Sequence, residues 1–427
     1  MLSLVAVGAL LLTILFAGLP VAFSLGSTSA LLIWLQDLPA GIIGHTLFSS
    51  LDSFVLLAVP LFILMSQILL EGKVGDGLFE AMNVWVRHLP GGLAIATILS
   101  CAFFAAITGS SAATAATVGL VALPALLERG YERRFVYGLI AAGGTLGILI
   151  PPSIPMILYG AVTEESVGRL FMAGVVPGLV LTGLFMAYAV WKSRRGGFRP
   201  MERASWEERW RVTRQNIWGI VLPLLILGGI YTGAFTPTEA AAVGLVYSLA
   251  VTLIVYRTLR LRDIPGVCLR SVGTSCMIAM IMAGALLFGK VMTLLEIPQA
   301  LTHSVVAANL SPLAFILAMN VVMLLLGCVL ETVSIILLTM PLVAPLLGLL
   351  GIDPIWYAVI VTVNMEMALI TPPVGVNLYV ISGISKEARM ADIINGVLPF
   401  LLIMVVMLVI VVAFPQLSLW LPAAMKG

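Results

Sequence analysis

Two proline pairs and two polar, glycine-bearing turns are the residues best placed to do chemistry in this chain. Pro151 and Pro152 interrupt the run Gly144 to Ser153, and Pro372 and Pro373 interrupt the run Glu366 to Asn377. The turns are Thr108 to Thr114 and Gly327 to Thr332. Proline lacks an amide donor and clashes with the carbonyl of residue i−4, so two in succession unwind a helical turn. The released carbonyls are hard oxygen ligands, Ser and Thr hydroxyls add ligands without fixed charge, and glycine permits a tight tip. In a bilayer, unwound carbonyls and half-helix C-termini suit Na⁺, while half-helix N-termini suit an anionic group. Two such constellations suggest two cation sites. Either break could instead be a structural kink, and Gly109 to Ala116 could be a small-residue packing face.

The remaining polar residues leave alternatives open. Asn364 and Asn377, with Ser153 and Thr114, are candidate substrate contacts, and packing or capping would serve the asparagines equally. Glu331 and Glu366 fall in the second turn and before the second break, and Glu239 lies near a membrane boundary. An intramembrane carboxylate costs about 2.5–3.5 kcal/mol on insertion scales, so cation ligation, proton coupling or a hydrogen bond to a neighbouring helix is expected of each. An enzyme is not expected. His45, His88 and His303 lie near span boundaries, the four cysteines are scattered, and no CxxC or HExxH pairing exists for a metal or redox centre. No organic cofactor and no nucleic-acid partner are expected.

The elements that must position these residues are membrane helices. The 427 residues are 61% hydrophobic and 10% charged, against about 25% charged in soluble domains, so lipid is the solvent this chain needs. Apolar runs of helical length cover 3–19, 21–36, 51–70, 134–163, 168–191, 217–234, 239–256, 272–295, 355–384 and 390–414. The first lacks a basic flank and reads as a membrane helix rather than a signal peptide. The stretches 91–127 and 301–350 are long and interrupted by small or polar residues, and read as re-entrant hairpins.

Basic residues orient the chain. Lys192, Arg194, Arg195, Arg199, Arg203, Arg209, Arg211 and Arg214 cluster in one connection, and Arg257, Arg260, Arg262 and Arg270 in another. Placing both inside brings Lys73, Arg87, Arg129, Arg133, Arg134, Lys386 and Arg389 inside too. Asp37, Asp52, Glu164, Glu165, Glu296 and Asp353 then fall outside, as do both termini. The segment 192–216 reads as a cytoplasmic amphipathic linker with Trp206 and Trp210 at headgroup depth.

The chain repeats itself. Leu149 to Ser153 matches Ile370 to Val374, Ala173 to Pro177 matches Asn395 to Pro399, and Pro20 and Gly26 have counterparts near Pro237 and Gly244. The reading is a first repeat over 1–200, with its hairpin at about 91–127 and broken helix at about 134–163. A second repeat over 217–427 has its hairpin at about 301–350 and broken helix at about 355–384. Five crossings and one hairpin per half invert the second half relative to the first. The expected class is an all-α polytopic membrane protein with two inverted-topology repeats and an ion-transporter-like, elevator-type fold.

In Gly109 to Thr114, Ile150 to Ile154 and Ile370 to Asn377, the sequence resembles the large membrane subunit of the tripartite ATP-independent periplasmic (TRAP) transporters, the DctM-like permeases. The resemblance covers essentially the whole chain. It implies a bacterial inner-membrane permease with a scaffold and a mobile transport domain. It also implies a small four-helix membrane subunit as partner, a periplasmic substrate-binding protein that delivers cargo, and coupled uptake of a small organic anion. Family cargoes include C4-dicarboxylates, sialic acids and sugar or keto acids, and the coupling ion is Na⁺. By motif, one Na⁺ site would use Ser110, Ser111, Gly147, Ile150 and Pro152, and a second would use Gly327, Thr332, Ala368, Thr371 and Val374. The chain departs from the family at Ala368, where glycine is common; a carbonyl there can still bind, but the turn is less free. A one-component anion symporter driven by Na⁺ or protons is the alternative, and need for a receptor separates the two.

Overall fold

The computed structural model of the chain describes residues 4–198, 200–385 and 387–425, so Arg199 and Lys386 of the orientation argument lie outside it. The described residues form helices and no strand. Among the described residues, seven helices are long and apolar enough to cross a membrane, including Val167–Arg195, Leu261–Leu294 and Met390–Ala413.

Both interrupted regions are helical hairpins. The first consists of Gly92–Thr108 and Ser111–Glu128, close to the expected bounds. The second is Pro312–Gly327 and Thr332–Leu349, so it begins later than 301. The stretch before it is a separate short helix, Ile297–Ala307, because Ser311 starts a new helix by accepting from Ala314 N at 3.2 Å and Pro312 suits a first helical turn. The two proline pairs divide helices where expected, into Arg133–Leu149 and Ile154–Thr163, and into Pro354–Ala368 and Val376–Ile384.

The linker differs from its expected form. Lys192, Arg194 and Arg195 finish the helix Val167–Arg195, residues 200–205 are non-helical, and one helix runs from Trp206 to Tyr231. Gly197 at φ +70° stops the first helix. Ser205 caps the second, its hydroxyl accepting from Glu208 N at 3.0 Å, with Glu207 and Glu208 in the first turn. Nothing between Gln215 and Trp218 breaks the helix, so amphipathic turn and span are continuous. A second amphipathic helix, Val74–Val86, lies against it, with Trp85 donating to Thr213 Oγ1 at 2.9 Å and contacting Trp206 and Trp210 edge to face. Short helices Gly41–Leu51 and Gln416–Ala423 also form where no span was expected.

The packing crosses the halves over. The half-helices Arg133–Leu149 and Pro354–Ala368 each pack on the hairpin that precedes them. Beyond each break the partner changes: Ile154–Thr163 packs on Thr332–Leu349, and Val376–Ile384 packs on Ser111–Glu128. Small residues make the closest crossings. A Cβ at Gly138 would collide with Gly396 O, and one at Gly174 with Leu149 O. The matched segments Ala173 to Pro177 and Asn395 to Pro399 therefore both seat a glycine on the helix Arg133–Leu149. Ile264–Leu294 packs on Val21–Leu35, Ala58–Glu71 and the second hairpin.

Candidate functional site

The first hairpin turns through Gly109, at φ +59°, and Ser110, which is extended. Only glycine takes the first conformation without steric cost. Ser110 then caps Ser111–Glu128, its hydroxyl accepting from Ala113 N at 3.5 Å. Thr114 Oγ1 donates to Ser110 O at 2.8 Å and lies 3.1 Å from Thr108 Oγ1. These side chains close the tip on itself.

At the first break, Pro151 and Pro152 withhold the amides that Gly147 O and Ile148 O would accept from in an unbroken helix. Ser153 compensates one of them: its hydroxyl donates to Ile148 O at 2.5 Å and accepts from Met156 N at 3.4 Å, so it also starts the next half-helix. Gly147 O has no such side-chain replacement among the described residues. The break meets the hairpin tip backbone to backbone. A Cβ on Gly147 would lie 2.7 Å from Ser110 O and 3.0 Å from Ser111 N, and one on Gly109 would collide with Pro152 O. Ser110, Ser111, Gly147 and Pro152 are thus brought to one place, and Ile150 is buried beside them against Gly178.

The second break repairs itself differently. Pro372 and Pro373 withhold amides from Ala368 O and Leu369 O, and Thr371 N and Asn377 N donate there instead, at 3.2 and 3.1 Å. Thr371 Oγ1 donates to Met367 O at 2.7 Å. Gly327 lies against Ala368, whose methyl occupies the room a side chain at 327 would need. The glycine that loosens this contact is on the hairpin rather than on the broken helix. Cys328 Sγ lies 3.6 Å from Pro372 O, so here too the hairpin tip meets a carbonyl of the proline pair, that of the first proline rather than the second. Thr332 is buried at the start of the returning arm, while Val374 is 38% exposed. The Pro151–Pro152 and Pro372–Pro373 peptides are both cis.

The candidate substrate contacts are occupied within the protein. Asn377 is fully buried; its Nδ2 donates to Ser111 Oγ at 2.8 Å and to Ala141 O at 2.8 Å. Asn364 donates to Asn320 O and Oδ1 at 2.9 and 3.1 Å, tying the second broken helix to the second hairpin. Asn320 was not singled out from the sequence; a lone polar residue within the apolar run 312–327 was its only signal. Ser153 and Thr114 are buried in the caps described above.

The acids separate. Glu239 closes a capping box with Thr236, accepting from its N and Oγ1 at 2.9 Å. Glu331 is exposed at the second tip. Glu366 is fully buried, and neither carboxylate oxygen has a hydrogen-bond partner among the described residues.

Residues 8–417 match the family model described as "Tripartite ATP-independent periplasmic transporter, DctM component". The "C4-dicarboxylate TRAP transporter large permease protein DctM" of Pseudomonas aeruginosa is 45% identical, over 93% of each chain. Its namesake of Rhodobacter capsulatus is 40% identical, over 97% of each. Among solved structures, the YdaH transporter of Alcanivorax borkumensis, described as having an unusual topology, superposes with a TM-score of 0.63. The match covers 93% of this chain and 97% of that one at 15% identity, a likeness of fold.

Proposed function

The chain belongs to the DctM component, or large permease, family of the tripartite ATP-independent periplasmic transporters, and we propose that it drives Na⁺-coupled uptake of a C4-dicarboxylate or related small organic anion. In this reading a periplasmic binding protein delivers the cargo and a small membrane subunit braces the scaffold. The two halves are inverted repeats in the inner membrane with both termini outside, and the hairpins and broken helices move together as the elevator. The dicarboxylate class is carried over from the names of the two relatives above.

The observation that carries the reading is the meeting of hairpin tip and proline break, made twice: backbone against backbone at the first, and through the Ala368 methyl and Cys328 Sγ at the second. At the first, Pro151 withholds the amide that Gly147 O would accept from, and a Cβ on Gly147 would lie 2.7 Å from Ser110 O. Such a place offers hard neutral oxygens to a monovalent cation without the cost of a buried carboxylate. Two Na⁺ crossing with a dianion would balance its charge and let the concentration gradient act. A third would add about 2.3 kcal/mol per 100 mV of membrane potential.

The test is uptake of labelled succinate into proteoliposomes holding this chain and its small subunit, with and without the binding protein, under an inward Na⁺ or proton gradient. Uptake needing both receptor and Na⁺ is the expected result. Receptor-free uptake would favour a one-component symporter, and uptake driven by protons alone would overturn the Na⁺ assignment.

A further inference from the structure

Away from the hairpin tips, a cavity of about 400 Å³ opens between Gly41–Leu51, Ile264–Leu294 and the second hairpin, with His45, Ser49, Lys290, Thr293 and Pro341 in its wall. That volume falls in the range of small-molecule sites. Its floor is the contact of Gly289 with the hairpin arm, where an added Cβ would lie 2.9 Å from Pro341 Cβ. The cavity therefore adjoins a seam between a long membrane helix and the hairpin that the proposed mechanism moves.

Lys290 is the informative residue. Twenty-six positions beyond Ile264, it lies about 39 Å along the helix from the arginine-rich end. By the charge rule that is the outer end, where the connections carry Asp37, Asp52, Glu164, Glu165, Glu296 and Asp353. Arg169 is the other described basic residue at that end. Lys290 makes no ion pair or hydrogen bond among the described residues, and neither does the His45 ring. The hydroxyls of Ser49 and Thr293 instead donate to their own helices, at 3.3 and 2.9 Å. Ser50, also in the wall, donates to Thr46 O at 2.6 Å, so the charged or ring donors left uncommitted in the cavity among the described residues are the Lys290 ammonium and the His45 imidazole, beside the Thr46 hydroxyl. The cavity wall holds a cation and no carboxylate, so its own field favours an anion.

We propose that the Lys290 cavity is the outward capture site for the anionic cargo, Lys290 holding one carboxylate before the substrate passes inward to the hairpin tips. The proposal rests on the organic-anion reading above. A lysine that merely extends its head to the interface would need no such cavity and no facing imidazole.

The experiment uses the receptor-dependent uptake assay with wild type, Lys290→Gln and Lys290→Arg. Lys290→Gln is expected to raise KM for a dicarboxylate about tenfold while kcat stays within about twofold, and Lys290→Arg to restore most of it. A monocarboxylate cargo should show a smaller rise. An unchanged KM would overturn the proposal. So would an equal rise for every cargo with weakened retention of the receptor on immobilised permease, which would make Lys290 a docking residue. If Lys290→Gln fails to assemble, added salt decides on wild type: KM must rise more for the dicarboxylate than for the monocarboxylate. Wild-type uptake of neither cargo would instead count against the function, and so separates the two failures.

Discussion

Asn377 reaches Ser111 across 266 residues of chain, its Nδ2 donating to the serine hydroxyl at 2.8 Å and its Oδ1 accepting back at 3.0 Å. Through this pair the residue that follows the second proline break grips the tip of the first hairpin. Its second bond, to Ala141 O, adds the first broken helix to the same joint. One buried amide therefore ties the start of Val376–Ile384 to both the first hairpin tip and the first broken helix.

Replacing Asn377 by leucine leaves Ser111 Oγ and Ala141 O buried without their partner. The expected cost is about 2–3 kcal/mol, seen as a lower unfolding temperature in detergent, together with loss of uptake. Wild-type stability and uptake in this variant would show that the joint carries nothing.

Gly147→Ala puts a methyl 2.7 Å from Ser110 O, where only backbone can yield. Overpacking of this kind costs about 1–3 kcal/mol, and the displaced carbonyl should raise the Na⁺ concentration giving half-maximal uptake. Gly183→Ala, with nothing within 4 Å, is the control and should leave that concentration unchanged. Equal behaviour of the two variants would remove Gly147 from the site.

Gly327 and Ala368 form a pair that can be exchanged. Gly327→Ala alone collides with the Ala368 methyl and should abolish uptake. Adding Ala368→Gly restores the room, and the double variant should recover most of the activity, a coupling of about 1–3 kcal/mol in a double-mutant cycle. Additive losses would mean the two positions do not meet in the working protein.

The ion pairs at the basic end should rank by exposure. Arg87–Glu208 is bidentate, both bonds at 2.8 Å, with side chains 19% and 30% exposed. Arg133–Glu387 has side chains 61% and 75% exposed. Glu208→Gln is expected to cost about 1–2 kcal/mol, because Arg87 keeps its charge in a partly desolvated place. Glu387→Gln should cost less than about 0.5 kcal/mol. Thermal unfolding at low and high salt checks the order, and a reversed ranking would refute it.

What the sequence by itself determined is local. Two prolines in succession interrupt helices at 151–152 and 372–373, where the single Pro177 and Pro399 do not, and Gly109 permits the positive φ of the first tip. Each follows from a residue and its near neighbours, so each could be read from order alone. Apolarity announced the membrane but left the helix ends open: neither the mixed run Ile297–Ala307 nor the charged run 206–216 says from its composition whether it continues into the helix after it. Only the tertiary structure decided the partners. Asn364 and Asn377 stood out as polar residues in apolar surroundings, yet that Asn320 and Ser111 receive them depends on which helices cross. The exchange of hairpins beyond each break was equally hidden, since Ile154–Thr163 and Val376–Ile384 carry apolar faces that would fit either one. Packing chose between them, and Gly119 of the first hairpin, where an added Cβ would lie 3.1 Å from Ile384 Cδ1, marks how closely Val376–Ile384 approaches it.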